Sequence, residues 1–232
     1  MATAAQQMIE TAQHIVFMTG AGVSTPSGIP DYRSKNGLYA GHHHAEYYLS
    51  HAYLTSDPVG FYHYLKENLY YPDAQPNVIH QKMAALSQQG RAGVITQNID
   101  NLHQVAQTQN LVEFHGNLYQ IYCTKCGQAV PFQDYLTSPY HTTDQGYLRP
   151  KVVLYDEGID QTNIERALAL LRNADLVVIC GTSFRVYPFA GLIDYRNSAA
   201  KVMAINEEPL QLPFEFEMVQ QNAVDFFKGV TV

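Results

Sequence analysis

The sequence predicts an α/β fold: a doubly wound parallel sheet with helices on both faces. Three observations predict it. Short apolar, β-branched runs near residues 14–19, 93–97, 111–115, 151–155, 175–180 and 201–205 alternate with stretches of helical periodicity. The run Asp175 to Cys180 is almost continuously apolar, as expected of a strand covered on both faces. Polar clusters follow these runs, and open α/β sheets carry their ligand groups at those carboxyl ends.

Composition narrows the class. A chain of 232 residues can bury a full core, as one domain with an insertion or as two unequal lobes. A formal net charge of −7 argues against the basic face that nucleic-acid binding needs. No run approaches the ~18 apolar residues of a membrane span. Met1 to Gln13 reads as a polar, Ala-rich helical segment without the basic n-region of a secretory signal. Three cysteines, two of them in Cys123-x-x-Cys126, fit a reducing interior with metal or redox use better than a disulfide framework. The expectation is a soluble cytoplasmic protein with no nucleic-acid and no membrane partner.

Taken in order, the first strand, His14 to Thr19, runs into Gly20-Ala21-Gly22-Val23-Ser24. A strand ending in Gly-Ala-Gly suits a dinucleotide, because glycine lets the backbone approach a pyrophosphate and helix-start amides receive its charge. Thr25 stands where the third fingerprint glycine belongs, so this turn alone is also explained as a tight strand-to-helix connection. Gly28 to Ser34 is an extended, turn-rich loop carrying Tyr32 and Arg33, able to fold over a bound group. His42-His43-His44 and His51 follow and read as a solvated loop rather than a metal cluster. Asp57-Pro58 begins a helix bearing Phe61, Tyr62, Tyr64, Leu65 and Leu69, ended by Pro72. Asn77 caps another through Val78, His80, Met83 and Leu86, with His80 a structural helix residue.

The strand at 93–97 ends in Gln97-Asn98-Ile99-Asp100, three amide or acid groups in four positions. Such groups are costly to bury without partners, and a cap at Asp100 accounts for one of them only. His103 beyond them reads as structural. Leu111 to Phe114 leads to His115-Gly116, a group that titrates near neutrality with room around it. Residues 119–149 are short and loop-rich, opening on Cys123-Thr124-Lys125-Cys126-Gly127. Lys151 to Tyr155 is a further strand, Asn163 to Asn173 a core helix, and Cys180 an inert buried thiol. Gly181-Thr182-Ser183 and Asn206 close two more strands with groups suited to phosphate or ribose, and Ala223 to Phe227 begins a last strand or helix.

The ordered set Gly20-Ala21-Gly22-Val23-Ser24, Gly28-Ile29-Pro30-Asp31-Tyr32-Arg33, Thr96-Gln97-Asn98-Ile99-Asp100, Phe114-His115-Gly116 and Gly181-Thr182-Ser183 resembles the sirtuins, the NAD-dependent protein deacylases. The likeness runs from Gly20 to about Val224 and implies a Rossmann-like sheet with an inserted zinc-ribbon-like lobe. It implies one catalytic domain over residues 1–232, whose small lobe combines a helical part, 35–75, with the insertion 119–149. NAD contacts are implied at Gly20, Ala21, Gly22, Thr25, Tyr32, Arg33, Gln97, Ile99, Asp100, Thr182, Ser183, Asn206, Ala223 and Val224. Asn98 and His115 are implied as catalytic, His115 as general base. Val153, Leu154 and Tyr155 resemble the strand that pairs with an acetyl-lysine peptide.

The insertion departs from the family. Structural zinc takes four closed ligands, commonly two Cys-x-x-Cys pairs, and the second pair is absent. Alignment on Gly146 to Pro150 puts His141 and Asp144 in its place. Two readings stay open: a Cys₂HisAsp zinc site at Cys123, Cys126, His141 and Asp144, or a lobe without metal. The arginine that selects succinyl and malonyl groups in some sirtuins is Leu65 here, so an uncharged acyl group is expected. The resemblance therefore implies an NAD-dependent protein-lysine deacetylase that releases nicotinamide and O-acetyl-ADP-ribose. Its alternatives are a mono-ADP-ribosyltransferase, an NAD hydrolase and a non-catalytic NAD-binding module.

Overall fold

The structure, a computed structural model, describes residues 3–31 and 45–232. Tyr32, Arg33 and the His42 to His44 run lie outside the described residues. The elements in chain order are α1 (Ala4–Thr11), β1 (Ile15–Thr19), α2 (Ala45–Tyr48), α3 (His51–Ser56), α4 (Pro58–Asn68), α5 (Val78–Gln88) and β2 (Ala92–Thr96). Then come α6 (Leu102–Val105), β3 (Leu111–Glu113), β4 (Gly116–Cys123), β5 (Ala129–Val130), α7 (Phe132–Thr137) and β6 (Leu148–Val152). The chain finishes with α8 (Gln161–Asn173), β7 (Leu176–Cys180), β8 (Lys201–Asn206), β9 (Glu217–Gln220) and α9 (Ala223–Lys228).

The main sheet has the order β3-β2-β1-β7-β8-β9, and every neighbouring pair is parallel. Alternation along β1 shows why it is covered on both faces. Ile15 and Phe17 join Ile79, Met83, Phe226 and Phe227 beneath α5 and α9. Val16 and Met18 join Ala167 and Leu171 of α8 on the other side. The predicted caps form: the Asp57 carboxylate accepts from the Gly60 amide, and the Asn77 side chain accepts from that of Ile79.

One strand is placed differently from expectation. Residues 151–155 do not join the parallel sheet; β6 spans Leu148–Val152 and pairs antiparallel with β4 in a three-stranded sheet, β5-β4-β6. Gly116 is the physical reason. At φ 83° it turns the chain so sharply that β4 runs back out of the main sheet, and a Cβ there would overlap the Lys151 carbonyl. The sixth place in the parallel sheet goes to β9, whose half-exposed Glu-Met-Val-Gln sequence lacks an apolar run. Ala223 to Phe227, expected as a last strand or helix start, lie in the helix α9.

The small sheet meets α3 and α4 through two apolar clusters. Leu54, Phe61, Leu65, Leu118 and Leu154 form one, and Tyr62, Ile121, Cys123, Tyr135 and Leu148 the other. Among the described residues, no helix is long and apolar enough to cross a membrane.

Phe17 is fully buried, with its ring centroid 6.1 Å from that of Phe227. Phe17→Ala is predicted to cost about 3–5 kcal/mol in urea unfolding, and a loss under about 1 kcal/mol would contradict the packing described.

Candidate active site

Strand order reverses between β1 and β7, and open sheets form their ligand crevice at that point. Here the two strand ends touch through backbone. The Gly22 amide donates to the Gly181 carbonyl at 2.8 Å, and the Gly20 amide donates to that of Cys180 at 3.3 Å. A Cβ on Gly22 would lie 2.8 Å from the Gly181 Cα, while Gly181 itself sits at φ 60°. Only glycine satisfies both demands. The helix expected after this turn is instead a pair of 3-10 turns, Ala21–Val23 and Thr25–Ser27, closed by Gly28 at φ 88°.

The polar residues ending β2 are held in one network. The Asn98 Nδ2 donates to the Gly20 carbonyl at 3.0 Å and to the Ser24 hydroxyl at 3.1 Å. Ser24 in turn donates to the Asp100 carboxylate at 2.6 Å, whose other oxygen accepts the Leu102 amide. Burial pushes the Asp100 carboxyl up, opposed by these hydrogen bonds. Gln97 Nε2 donates to the Thr182 hydroxyl at 2.9 Å, tying β2 to the end of β7. Ala21, Ser24, Ile29, Pro30, Leu69, Tyr71, Asn98, Ile99, Asp100 and Leu118 line one small crevice beside this network.

His115 stands at the same edge. Its Nδ1 lies 3.2 Å from the Gln97 carbonyl, which can only accept, so Nδ1 carries the proton and Nε2 keeps its lone pair. Burial lowers the His115 pKa, partly offset by that hydrogen bond. The ring is therefore neutral near pH 7, with a basic nitrogen available. Glu113, two residues earlier, accepts from Asn117 Nδ2 at 2.6 Å, and burial raises its carboxyl to about 7.

The remaining expected residues lie along the carboxyl edge without bonding to this network. Ser183 is exposed, Asn206 Nδ2 donates to the Glu208 carbonyl, and Thr25 donates to that of Gly22. Ala223 and Val224 open α9, with the Val224 amide donating to the Asn222 cap. The Val153 amide donates to the His115 carbonyl, which places this segment directly beside the histidine. Tyr155 exchanges backbone bonds with Leu49 and His51, and the Leu154 amide donates to Glu157. The Tyr62 hydroxyl is committed to the Leu136 carbonyl, and Leu65 is buried in the apolar cluster that includes Leu154. His80 and His103 are buried and stacked edge to face, with His103 on the Thr19 hydroxyl, and Cys180 is a buried thiol pushed up to about 12.

Ligand atoms of Cys123, Cys126, His141 and Asp144 all lie within 4.8 Å of one another. Cys126 Sγ is 3.6 Å from His141 Nδ1, and that nitrogen is 3.1 Å from Asp144 Oδ1. Ligands of a tetrahedral zinc stand roughly 3.3–3.8 Å apart, so the spacing fits such an ion after small adjustment.

Sequence reading missed Ser24 as the hydroxyl joining Asn98 to Asp100, and Asn77, whose Nδ2 holds the Val23 carbonyl and the Ser27 hydroxyl. The signal was the hydroxyl directly after Gly-Ala-Gly-Val. Asn77 gave only a helix-cap signal, because its second task needs the fold.

Gly22→Ala is predicted to destabilise the fold by about 1–3 kcal/mol in urea unfolding, because its Cβ would overlap the Gly181 backbone. Unchanged stability would contradict the close approach of the two turns.

Comparisons with known proteins agree on the family. The Sir2 family profile matches residues 20–188, most of the chain. A protein of Lactiplantibacillus plantarum named NAD-dependent protein deacetylase is 77% identical over 230 residues, covering 99% of this chain and 98% of that protein. Its namesake in Listeria innocua is 54% identical over 97% of this chain and 98% of that protein. A solved Sir2 structure with a deacetylated p53 peptide and 3′-O-acetyl-ADP-ribose superposes with TM-score 0.87 at 31% identity, covering 97% of this chain and 95% of that one. Sequence, sheet order and relatives thus place this chain in the Sir2 family.

Proposed function

We propose that this chain is an NAD-dependent protein-lysine deacetylase that releases nicotinamide and O-acetyl-ADP-ribose. The observation that carries it is one buried polar network of Asn98, Ser24 and Asp100 beside the switch point, with His115 bonded to the Gln97 carbonyl at the same edge of the sheet. A Cβ on Gly20, Gly22 or Gly181 would clash with the facing turn, so these glycines let the two strand-end turns stand side by side, and a dinucleotide is taken across those turns. When bound, NAD supplies a ribose that accepts the acyl group once nicotinamide has left.

The chain's own residues then have separable tasks. Gly20 to Gly22 present backbone to the pyrophosphate, with Thr25, Thr182, Ser183, Asn206, Ala223 and Val224 along the adenosine side. Asp100 and the Ile99 backbone are placed to meet a carboxamide, and Gln97 braces the turn by its bond to Thr182. Asn98, fixed by Gly20 and Ser24, is positioned to hold ribose or a nearby water. His115 Nε2 takes a proton from a ribose hydroxyl, which needs the neutral ring that burial enforces. The acetyl-lysine peptide lies along Val153 to Tyr155. Leu65 brings no cation to the apolar cluster near Leu154, so an uncharged acyl group is favoured over succinyl.

Cys123, Cys126, His141 and Asp144 are proposed to hold one structural zinc, with Asp144 kept ionised by the Gly146 amide, which pulls its carboxyl down to about 2. The same proposal takes residues 1–232 as one catalytic domain, with 35–75 and 119–149 as its small lobe. It places the protein in the cytoplasm.

His115→Ala is expected to cut deacetylation of an acetyl-lysine peptide by about 10²–10⁴-fold by mass spectrometry; an effect under about threefold would remove it as the base. Activity is lost as pH falls through the His115 pKa, so the acid limb of kcat is expected below the ordinary histidine value of about 6.5. An inflection above that value would contradict the burial argument. Elemental analysis should find one zinc per chain, absent from Cys126→Ser with a lower melting temperature; metal-free wild type with the same melting curve would exclude the site.

A further inference from the structure

The turn that carries His115 is closed by two side chains on either side of it. Glu113 ends β3, Asn117 lies in β4, and between them stand Phe114, His115 and the left-handed Gly116. One Asn117 Nδ2 proton goes to Glu113 Oε1 at 2.6 Å, the other to Asn101 Oδ1 at 2.7 Å. The Asn117 side-chain oxygen, Oδ1, accepts the Tyr119 amide at 2.8 Å. The two donor bonds are shorter than the usual N–H···O mode of about 2.9–3.0 Å, and Asn117 itself is buried.

Asn101 matters because of where it stands. It precedes the first residue of α6 in the left-handed conformation, φ 70°, directly after Asp100 and three residues after Asn98. The next β4 residue, Leu118, donates to the Ile99 carbonyl at 2.9 Å. Asn98 and Asp100 are therefore held on one side by Gly20 and Ser24, and on the other by Asn117 and Leu118. His115 reaches the same loop through its single bond to the Gln97 carbonyl. The ring also packs against Phe114, 5.5 Å between centroids, and Phe189, 6.4 Å, so the direction of Nε2 follows the placement of the whole turn.

We propose that Glu113 is a positioning residue of the deacetylation step: through Asn117 it locks the His115 turn onto the loop bearing Asn98 and Asp100. This rests on the deacetylase reading above. Glu113 does not itself line the crevice. Its other bonds point away from the site, the second carboxyl oxygen accepting from Gln120 and the backbone carbonyl from Asn163 of α8. Charged groups that face it are Asp100 from the α6 side and Arg166 from α8, and burial raises the carboxyl to about 7. The oxygen of a glutamine amide can accept the same Asn117 proton, whereas a methyl cannot.

The reaction offers a way to separate this role from general folding. Nicotinamide leaves before His115 acts, so exchange of labelled nicotinamide into NAD reads the first step and O-acetyl-ADP-ribose reads the second. Full-length wild type, Glu113→Ala and Glu113→Gln would be compared for both, with NAD binding and melting temperature as controls. The expected result is a drop of about tenfold or more in kcat for deacetylation in Glu113→Ala, with exchange and KM for peptide within about threefold. Glu113→Gln should recover kcat to within about threefold of wild type. Loss of exchange and deacetylation in equal proportion, or failure of Glu113→Gln to restore kcat while its melting curve is native, would overturn the proposal. Wild-type kcat in Glu113→Ala would overturn it as well. Absence of exchange in wild type would instead count against the deacetylase reading itself.

Discussion

The rest of the site depends on one close approach, backbone on backbone, between the turns that end β1 and β7. Gly22 and Gly181 meet at a distance that no side chain permits, and Gly20 lies against Thr182 in the same way. This contact brings together two loops that leave the sheet in opposite directions. With them in place, the Gly20 carbonyl faces Asn98, and Thr182 faces Gln97. The geometry of the whole strand-end network is thus set by the same three glycines.

Electrostatics add a second constraint. The Asp100 carboxyl and the His115 ring are both buried, and burial drives each toward its neutral form. For a base this is useful, because a neutral imidazole with its proton on Nδ1 has one free lone pair and one direction in which to use it. For Asp100 the hydrogen bonds from Ser24 and Leu102 oppose the desolvation, which keeps its carboxyl oriented as an acceptor. The polar groups that were costly to bury are all spoken for within the network. This accounts for Gln97, Asn98 and Asp100 standing together in one short loop.

Much of this was legible in the sequence. Five of the six expected strands lie in the parallel sheet, because their apolar runs report burial on both faces directly. The misplaced run at 151–155 is as apolar as the others, and its partner was decided by Gly116, a single residue whose turn cannot be read from periodicity. Strand β9 was missed for the opposite reason: as an edge strand with Glu217 and Gln220 exposed it carries little apolar signal. The site residues were legible as strand ends, and their family resemblance gave them roles. What could not be read was pairing, such as Ser24 between Asn98 and Asp100, or Glu113 across the turn to Asn117. Those bonds join residues four to seventy-six positions apart and exist only once the sheet has formed.

The central claim is that this crevice couples NAD cleavage to deacylation of a lysine. Its most direct test is the stoichiometry of nicotinamide, deacetylated peptide and O-acetyl-ADP-ribose made by purified protein with and without an acetyl-lysine peptide. The account predicts equal amounts of all three with peptide and almost no nicotinamide without it. Nicotinamide released freely in the absence of peptide, or label appearing on protein in place of O-acetyl-ADP-ribose, would contradict it.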